Sequence, residues 1–142
     1  MDQRAKAKRF LELHTSGRLL VLPNAWDAGS AKIFEHAGFQ ALGTTSAGVA
    51  LSLGYPDGER VSRAEMLEAV RRIASAVTIP VTADLEAGYG RAVNDAVETA
   101  RGAIAAGAVG MNFEDSTSDD RLVDVAAQVE RIRAIKKLAE AE

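Results

Sequence analysis

Four short apolar runs punctuate the chain, at residues 19–22 (LLVL), 41–44 (ALGT), 78–83 (TIPVTA) and 108–113 (AVGMNF). None alternates polar with apolar strictly, and such runs are the pattern of strands buried on both faces. Between them, apolar residues recur at helical spacing. Residues 3–14 read as a short amphipathic helix with Phe10, Leu11 and Leu13 on its apolar side, broken by Thr15, Ser16 and Gly17. Asp27 is placed to cap a helix over residues 28–37, and Gly38 to end it in the left-handed conformation. Residues 49–53 predict a helical turn, and the Pro56-Asp57-Gly58 sequence after it is ordinary turn chemistry. Ser62 and Glu65 form a capping box for a helix reaching about Val77, with the stripe Met66, Val70, Ile73, Ala74, Val77 facing a core. A further helix opens at Arg91 or Asn94, with Val93, Ala96, Val97, Ala100 and Ile104 on one face, and stops at Gly107. The last helix carries Val125, Val129, Ile132, Ile135 and Leu138.

The order is one helix followed by four strand–helix units, which predicts an α/β fold of parallel βα units. No linker or low-complexity segment divides residues 1–142, so one domain is expected. A flavodoxin-like binding domain has a similar length, but five strands are its norm.

Composition narrows the function classes. The chain has 142 residues, 47% hydrophobic and 26% charged, with a net charge of -3. That balance offers no basic footprint for nucleic acid. No apolar run is long enough to cross a bilayer, and residues 1–10 are charged rather than signal-like. Cysteine is absent, which excludes disulfides, thiolate metal sites and a cysteine nucleophile, and a cytoplasmic location is the expectation. His14 and His36 fall on helix faces without a second ligand at metal spacing, so solvated positions are expected for both. Trp26 reads as a packing residue.

In parallel α/β folds the loops at the carboxyl ends of the strands converge on one mouth, and sites gather there. The distinctive polar residues fall at those ends: Asn24, then Thr45 and Ser46, then Asp84 and Glu86, then Glu114 and Asp115. Taken alone, Asp84 and Glu86 also suit the capping of a turn. Placed beside Glu114, however, they form a set of carboxylates that repel unless a cation is shared. Oxygen donors without His or Cys suit a hard ion such as Mg²⁺ or, in its place, Mn²⁺. The small residues at 45–48 let backbone N–H groups approach a carboxylate or phosphate. Gly88 and Gly90 flank Tyr89 but lack the spacing of a dinucleotide fingerprint and the lysine of a P-loop.

Five blocks, residues 22–30 (LPNAWDAGS), 44–48 (TTSAG), 53–57 (LGYPD), 83–90 (ADLEAGYG) and 112–116 (NFEDS), together resemble the isocitrate lyase/phosphoenolpyruvate mutase superfamily. The branch they most resemble is the one called 2-methylisocitrate lyase-like or carboxyphosphonoenolpyruvate mutase-like. The resemblance implies a Mg²⁺-dependent enzyme that cleaves or forms C–C or P–C bonds in small α-keto or α-hydroxy acids through an enolate-like intermediate. It implies Asp84 as the principal metal carboxylate, with Glu86 and Glu114 acting directly or through water. It implies Thr45, Ser46 and Ala47 at the substrate carboxylate, and Asp57 near the reacting centre.

Two departures qualify what carries over. Lyases of the superfamily have a Lys-Arg-Cys-Gly-His type segment after the fourth strand, where this chain has residues 116–121 (STSDDR). Cysteine-dependent cleavage of isocitrate or methylisocitrate is therefore not expected, and mutase, hydrolase or decarboxylase chemistry stays open. The family fold is a (β/α)₈ barrel of roughly 250 residues, so this chain is expected to be its amino-terminal (β/α)₄ half, preceded by a short helix. Four strands leave two open sheet edges. The expected partners are a second copy or a complementing half-barrel, beside the small carboxylate substrate; the alternative is a non-catalytic half-barrel or assembly module that keeps the metal corner.

Overall fold

The computed structural model of the chain describes residues 1–116 and 121–142. Its order is α1 (Gln3–Thr15), β1 (Asn24–Ala25), α2 (Ala28–His36), β2 (Leu42–Thr44), α3 (Ser46–Ser52), α4 (Arg63–Ala76), β3 (Val81–Asp84), α5 (Val93–Ala105), β4 (Gly110–Asn112) and α6 (Val125–Ala141). The four strands are all parallel and lie side by side in chain order. Sequential parallel strands with intervening helices are the first four units of an eight-stranded βα barrel.

The helices start where their capping residues stand. The Asp27 carboxylate accepts from the Ser30 N–H at 2.7 Å, and in the predicted box the Glu65 N–H donates to Ser62 Oγ while the Ser62 N–H donates to the Glu65 carboxylate. Gly38 and Gly107 follow helix ends with φ of 92° and 94°. The predicted α4 stripe is buried throughout. It packs with Leu42, Val81, Ala83 and Leu85 from the sheet, joined by Val49 and Val61. Burying an Ile or Leu side chain contributes about 1.5–3 kcal/mol, so this layer dominates the stability. α1 lies under the amino-terminal ends of β3 and β4. There Gln3 Nε2 donates to the Ile104 and Ala108 carbonyls (2.7 and 2.9 Å), and Lys6 Nζ to that of Val77 (3.1 Å).

At four places the structure departs from, or adds to, the reading of the sequence. The apolar run at residues 19–22 is not a strand: β1 is Asn24–Ala25, while Leu19 is 91% exposed. Among the described residues, Asn24 and Ala25 alone of this segment pair with β2, and the run before them has no strand beside it. Residues 46–48 are not a loop but the first turn of α3, with Thr45 Oγ1 accepting from the Gly48 N–H at 3.3 Å. Gly48 is needed there because a Cβ would stand 2.6 Å from Thr45 Cγ2. Trp26 is exposed rather than packed. On α6, Val125, Val129 and Ile132 face outward, while Gln128 and Arg131 are the buried positions. His14 and His36 are exposed, as expected.

Candidate functional site at the carboxyl ends of the strands

The register sets the site. Asp84, the last residue of β3, pairs with Asn112, the last of β4. Two residues further along, the Glu114 N–H donates to the Glu86 carbonyl at 2.8 Å, so the two strand exits leave together. Asp84 and Glu86 are thereby aligned with Glu114 on neighbouring chain segments.

Asp84 is half-buried and tightly held. Its Oδ2 accepts from both the backbone N–H and the hydroxyl of Ser46, each at 2.8 Å, and its own N–H donates to Thr44 Oγ1 at 2.8 Å. No donor among the described residues reaches Oδ1. The Asp84 carboxylate therefore occupies the Ser46 donors that a substrate carboxylate was expected to use. Thr45 is likewise engaged, its N–H on the Ala25 carbonyl at 3.1 Å and its hydroxyl in capping α3. The Ala47 N–H has no partner among the described residues.

Glu86 is only 5% exposed and has a left-handed backbone, φ 50°. One carboxylate oxygen accepts from the Tyr89 hydroxyl at 2.9 Å and the other from the Glu59 N–H. Burial pushes its pKa above the ordinary carboxylate value, and the negative charges of Glu59 and Asp57 add to that, against the two hydrogen bonds. The Asp57 charge thus acts on Glu86, although the Asp57 side chain is exposed. Burial, followed by the Glu86 charge, also raises the pKa of Tyr89. Glu114 is exposed, with one oxygen accepting from Ser116 Oγ at 3.1 Å.

The three acids expected to share one ion are aligned but not gathered. Among the described residues no three acidic, His or Cys side chains lie close enough to enclose a metal. The donor set still fits a water-rich hard ion. Mg²⁺ is commonly held by one or two carboxylates with several waters, and Asp84 offers one oxygen fixed in place and one left open. The segment expected to replace the cysteine-bearing motif lies mostly at residues 117–120, outside the described residues.

Residues to which the sequence assigned no role join the site. Glu59 and Tyr89 have left-handed backbones, φ 55° and 57°, and the Tyr89 N–H donates to Glu59 Oε1 at 2.7 Å. Gly88, φ 91°, packs so closely that a Cβ would lie 2.6 Å from the Phe113 ring. Arg131 stands over that ring at 4.6 Å. The flanking glycines were the available signal for Tyr89; nothing local pointed to Arg131.

Known proteins share the sequence and the fold of this chain. A family model described as phosphoenolpyruvate phosphomutase matches residues 10–142. An uncharacterised protein of Mycobacterium tuberculosis is 39% identical over 90% of this chain and 48% of its own length. The 2-methylisocitrate lyase of Bacillus subtilis is 29% identical over 97% of this chain and 48% of its own. A crystal structure of a Burkholderia cenocepacia J2315 protein, provisionally described as a lyase/mutase, superposes with TM-score 0.94 at 44% identity. It is covered over 51% of its chain by 99% of this one. The chain thus spans about half the length of the relatives it matches. With its motifs at the strand exits and a family match running from α1 to the end of α6, the chain belongs to the phosphoenolpyruvate phosphomutase family, within the isocitrate lyase/phosphoenolpyruvate mutase superfamily of lyases and mutases acting on small carboxylic acids.

Proposed function

We propose that this chain carries the metal-binding half of a site for a small α-keto or α-hydroxy carboxylic acid, of the lyase or mutase kind. The observation that carries the reading is Asp84: one oxygen is locked by Ser46 and the other is left open at the mouth of the strands. Asp84 would hold Mg²⁺ directly, with Mn²⁺ as a substitute, and Glu86 and Glu114 would act through water. The ion would supply electrophilic stabilisation of negative charge developing on a substrate oxygen. Asp57 would stand near the reacting centre, and Thr45, Ser46 and Ala47 would form the wall facing the substrate carboxylate, with the Ala47 N–H as its open donor. The names of the relatives support the substrate class, since they include 2,3-dimethylmalate lyase and oxaloacetate decarboxylase.

The pocket needs further βα units to close. β1 and β4 are each paired on one edge only among the described residues. In this reading those units come from a longer chain, a second copy or a complementing half-barrel. The mass of the purified chain in solution tests the second-copy arm: a strictly monomeric, well-folded particle removes it.

Calorimetric titration of Mg²⁺ with oxalate, an enolate mimic, tests the site itself. Binding of oxalate that requires Mg²⁺ and is lost in Asp84→Ala is the expected result. No heat and no shift in melting temperature at millimolar ligand, on the scale where RT ln(1 + [L]/Kd) becomes measurable, would remove the reading.

A second reading, a non-catalytic half-barrel, is favoured by one specific observation. The Ser46 donors and both Glu86 oxygens are already satisfied internally. It predicts no turnover of oxaloacetate, phosphonopyruvate or methylisocitrate by the purified chain. Turnover that Asp84→Ala abolishes decides against it.

A further inference from the structure

Every backbone carbonyl of residues 87–90 accepts a hydrogen bond from a side chain, and the donors come from three different helices. Arg131 of α6 donates Nη2 to the Ala87 carbonyl at 2.5 Å and to that of Gly90 at 2.8 Å. Thr99 of α5 donates its hydroxyl to the Gly88 carbonyl at 2.7 Å, and Arg63, at the start of α4, donates Nη2 to that of Tyr89 at 2.8 Å. A turn this short closes itself through its own backbone, as the Gly88 N–H does on the Leu85 carbonyl at 2.9 Å. The side-chain clamp is additional.

The clamp is also costly. Arg131 is only 3% exposed, yet among the described residues no carboxylate lies within ion-pair distance of it. Its Nε and that of Arg63 are buried without a hydrogen-bond partner among the described residues. A buried guanidinium with an unpaired N–H is destabilising compared with an apolar side chain in the same place. Apolar Val129 and Ile132 stand on the same helix and face outward instead. Costs of this kind persist where they hold a geometry that the backbone would not otherwise keep.

The geometry held is that of Tyr89 and, through it, Glu86. Tyr89 is left-handed, its N–H sits on Glu59 and its hydroxyl on Glu86, while the Glu59 N–H takes the other Glu86 oxygen. We infer that Arg131 and Arg63 are positioning residues of the candidate site: by locking residues 87–90 they make Tyr89 and Glu59 hold the Glu86 carboxylate in one orientation just past the carboxyl end of β3. This rests on the reading of Glu86 as a site residue, while the locking itself is testable without any ligand.

Amide hydrogen exchange on the full chain is the test, with Arg131→Lys, Arg131→Met and Tyr89→Phe. A lysine has one ammonium and cannot both bridge two carbonyls and stack on Phe113 as the planar guanidinium does. In Arg131→Lys and Arg131→Met the Tyr89 and Glu59 amides are expected to exchange at least about tenfold faster, while the Val70 and Ile73 amides of α4 change by less than about twofold, the signature of local opening. Tyr89→Phe is expected to speed the Glu59 amide alone. Unchanged Tyr89 and Glu59 exchange in Arg131→Lys overturns the inference, and so does acceleration by the same factor as the α4 amides. Mg²⁺-dependent oxalate binding, measured in parallel, is expected to weaken about tenfold in Arg131→Lys, a coupling of ordinary size for residues that act through others. Oxalate binding unaltered by a loosened loop also overturns the positioning role. If the unsubstituted chain binds no oxalate, the metal-site reading fails and the exchange data alone decide whether the clamp holds Glu86.

Discussion

The Asp84 carboxylate crosses from the end of β3 to the first turn of α3 and accepts both the N–H and the hydroxyl of Ser46, each at 2.8 Å. One contact thus orients the candidate metal ligand and satisfies a helix N-terminus, two roles that separate in mutants. Asp84→Ala leaves the buried Ser46 N–H unpaired, which costs about 1–3 kcal/mol. Asp84→Asn keeps an acceptor for Ser46 while removing the charge. The expected outcome is that Ala lowers both urea stability and Mg²⁺ affinity, whereas Asn lowers Mg²⁺ affinity with most of the stability retained. Equal stability losses in both variants would show that charge, not hydrogen bonding, anchors α3.

Glu86 titrates above an ordinary glutamate because it is buried. A carboxyl whose folded pKa is raised contributes stability at low pH and loses it as pH climbs through the folded value. In metal-free buffer, Glu86→Gln is therefore expected to gain stability relative to the natural chain between pH 4.5, the unperturbed value, and neutrality. Melting temperatures of both chains across that window check it, and a difference that shrinks as pH rises contradicts burial as the cause of the raised pKa.

Core and surface apolar positions are predicted to differ sharply. Ile73 is fully buried and Ile132 is 42% exposed. Ile73→Ala is expected to cost about 2–5 kcal/mol. Ile132→Ser is expected to stay within about 0.5 kcal/mol, as surface changes do. Denaturant midpoints with unchanged slopes measure both.

Asp27 caps α2 through the Ser30 N–H, and that bond holds its pKa below the usual value. Asp27→Ala is expected to cost about 1 kcal/mol at neutral pH, the usual value of an N-cap. Because the folded pKa is depressed, the natural chain loses this contribution as pH falls through it, so the two chains converge in acid. Thermal melts at neutral and acidic pH test the convergence.

Much of this molecule was legible along the chain. Asp27, Ser62 and Gly38 marked helix ends because capping is a contact between residues three or four apart. The α4 stripe marked the core because helical periodicity alone brings Met66, Val70 and Ile73 onto one face. The acids at the ends of the third and fourth apolar runs marked the mouth of the strands. The run at residues 19–22 misled, since an apolar tetrapeptide becomes a strand only if a neighbour pairs with it, and in this chain the pairing begins at Asn24.

Tertiary structure alone decided the rest. Ser46 meets Asp84 across 38 residues, and Glu59 meets Glu86 across 27. No local pattern encodes which donor lies opposite which acceptor over such distances. The periodicity of α6 correctly announced an amphipathic helix but not which side faces in. Arg131, rather than Ile132, faces in, where it answers the carbonyls of Ala87 and Gly90, while Thr99 and Arg63 answer those of Gly88 and Tyr89. Sequence by itself thus determined the family, the βα order and the acidic character of the site; packing determined which acid is held open, which is buried, and what holds it.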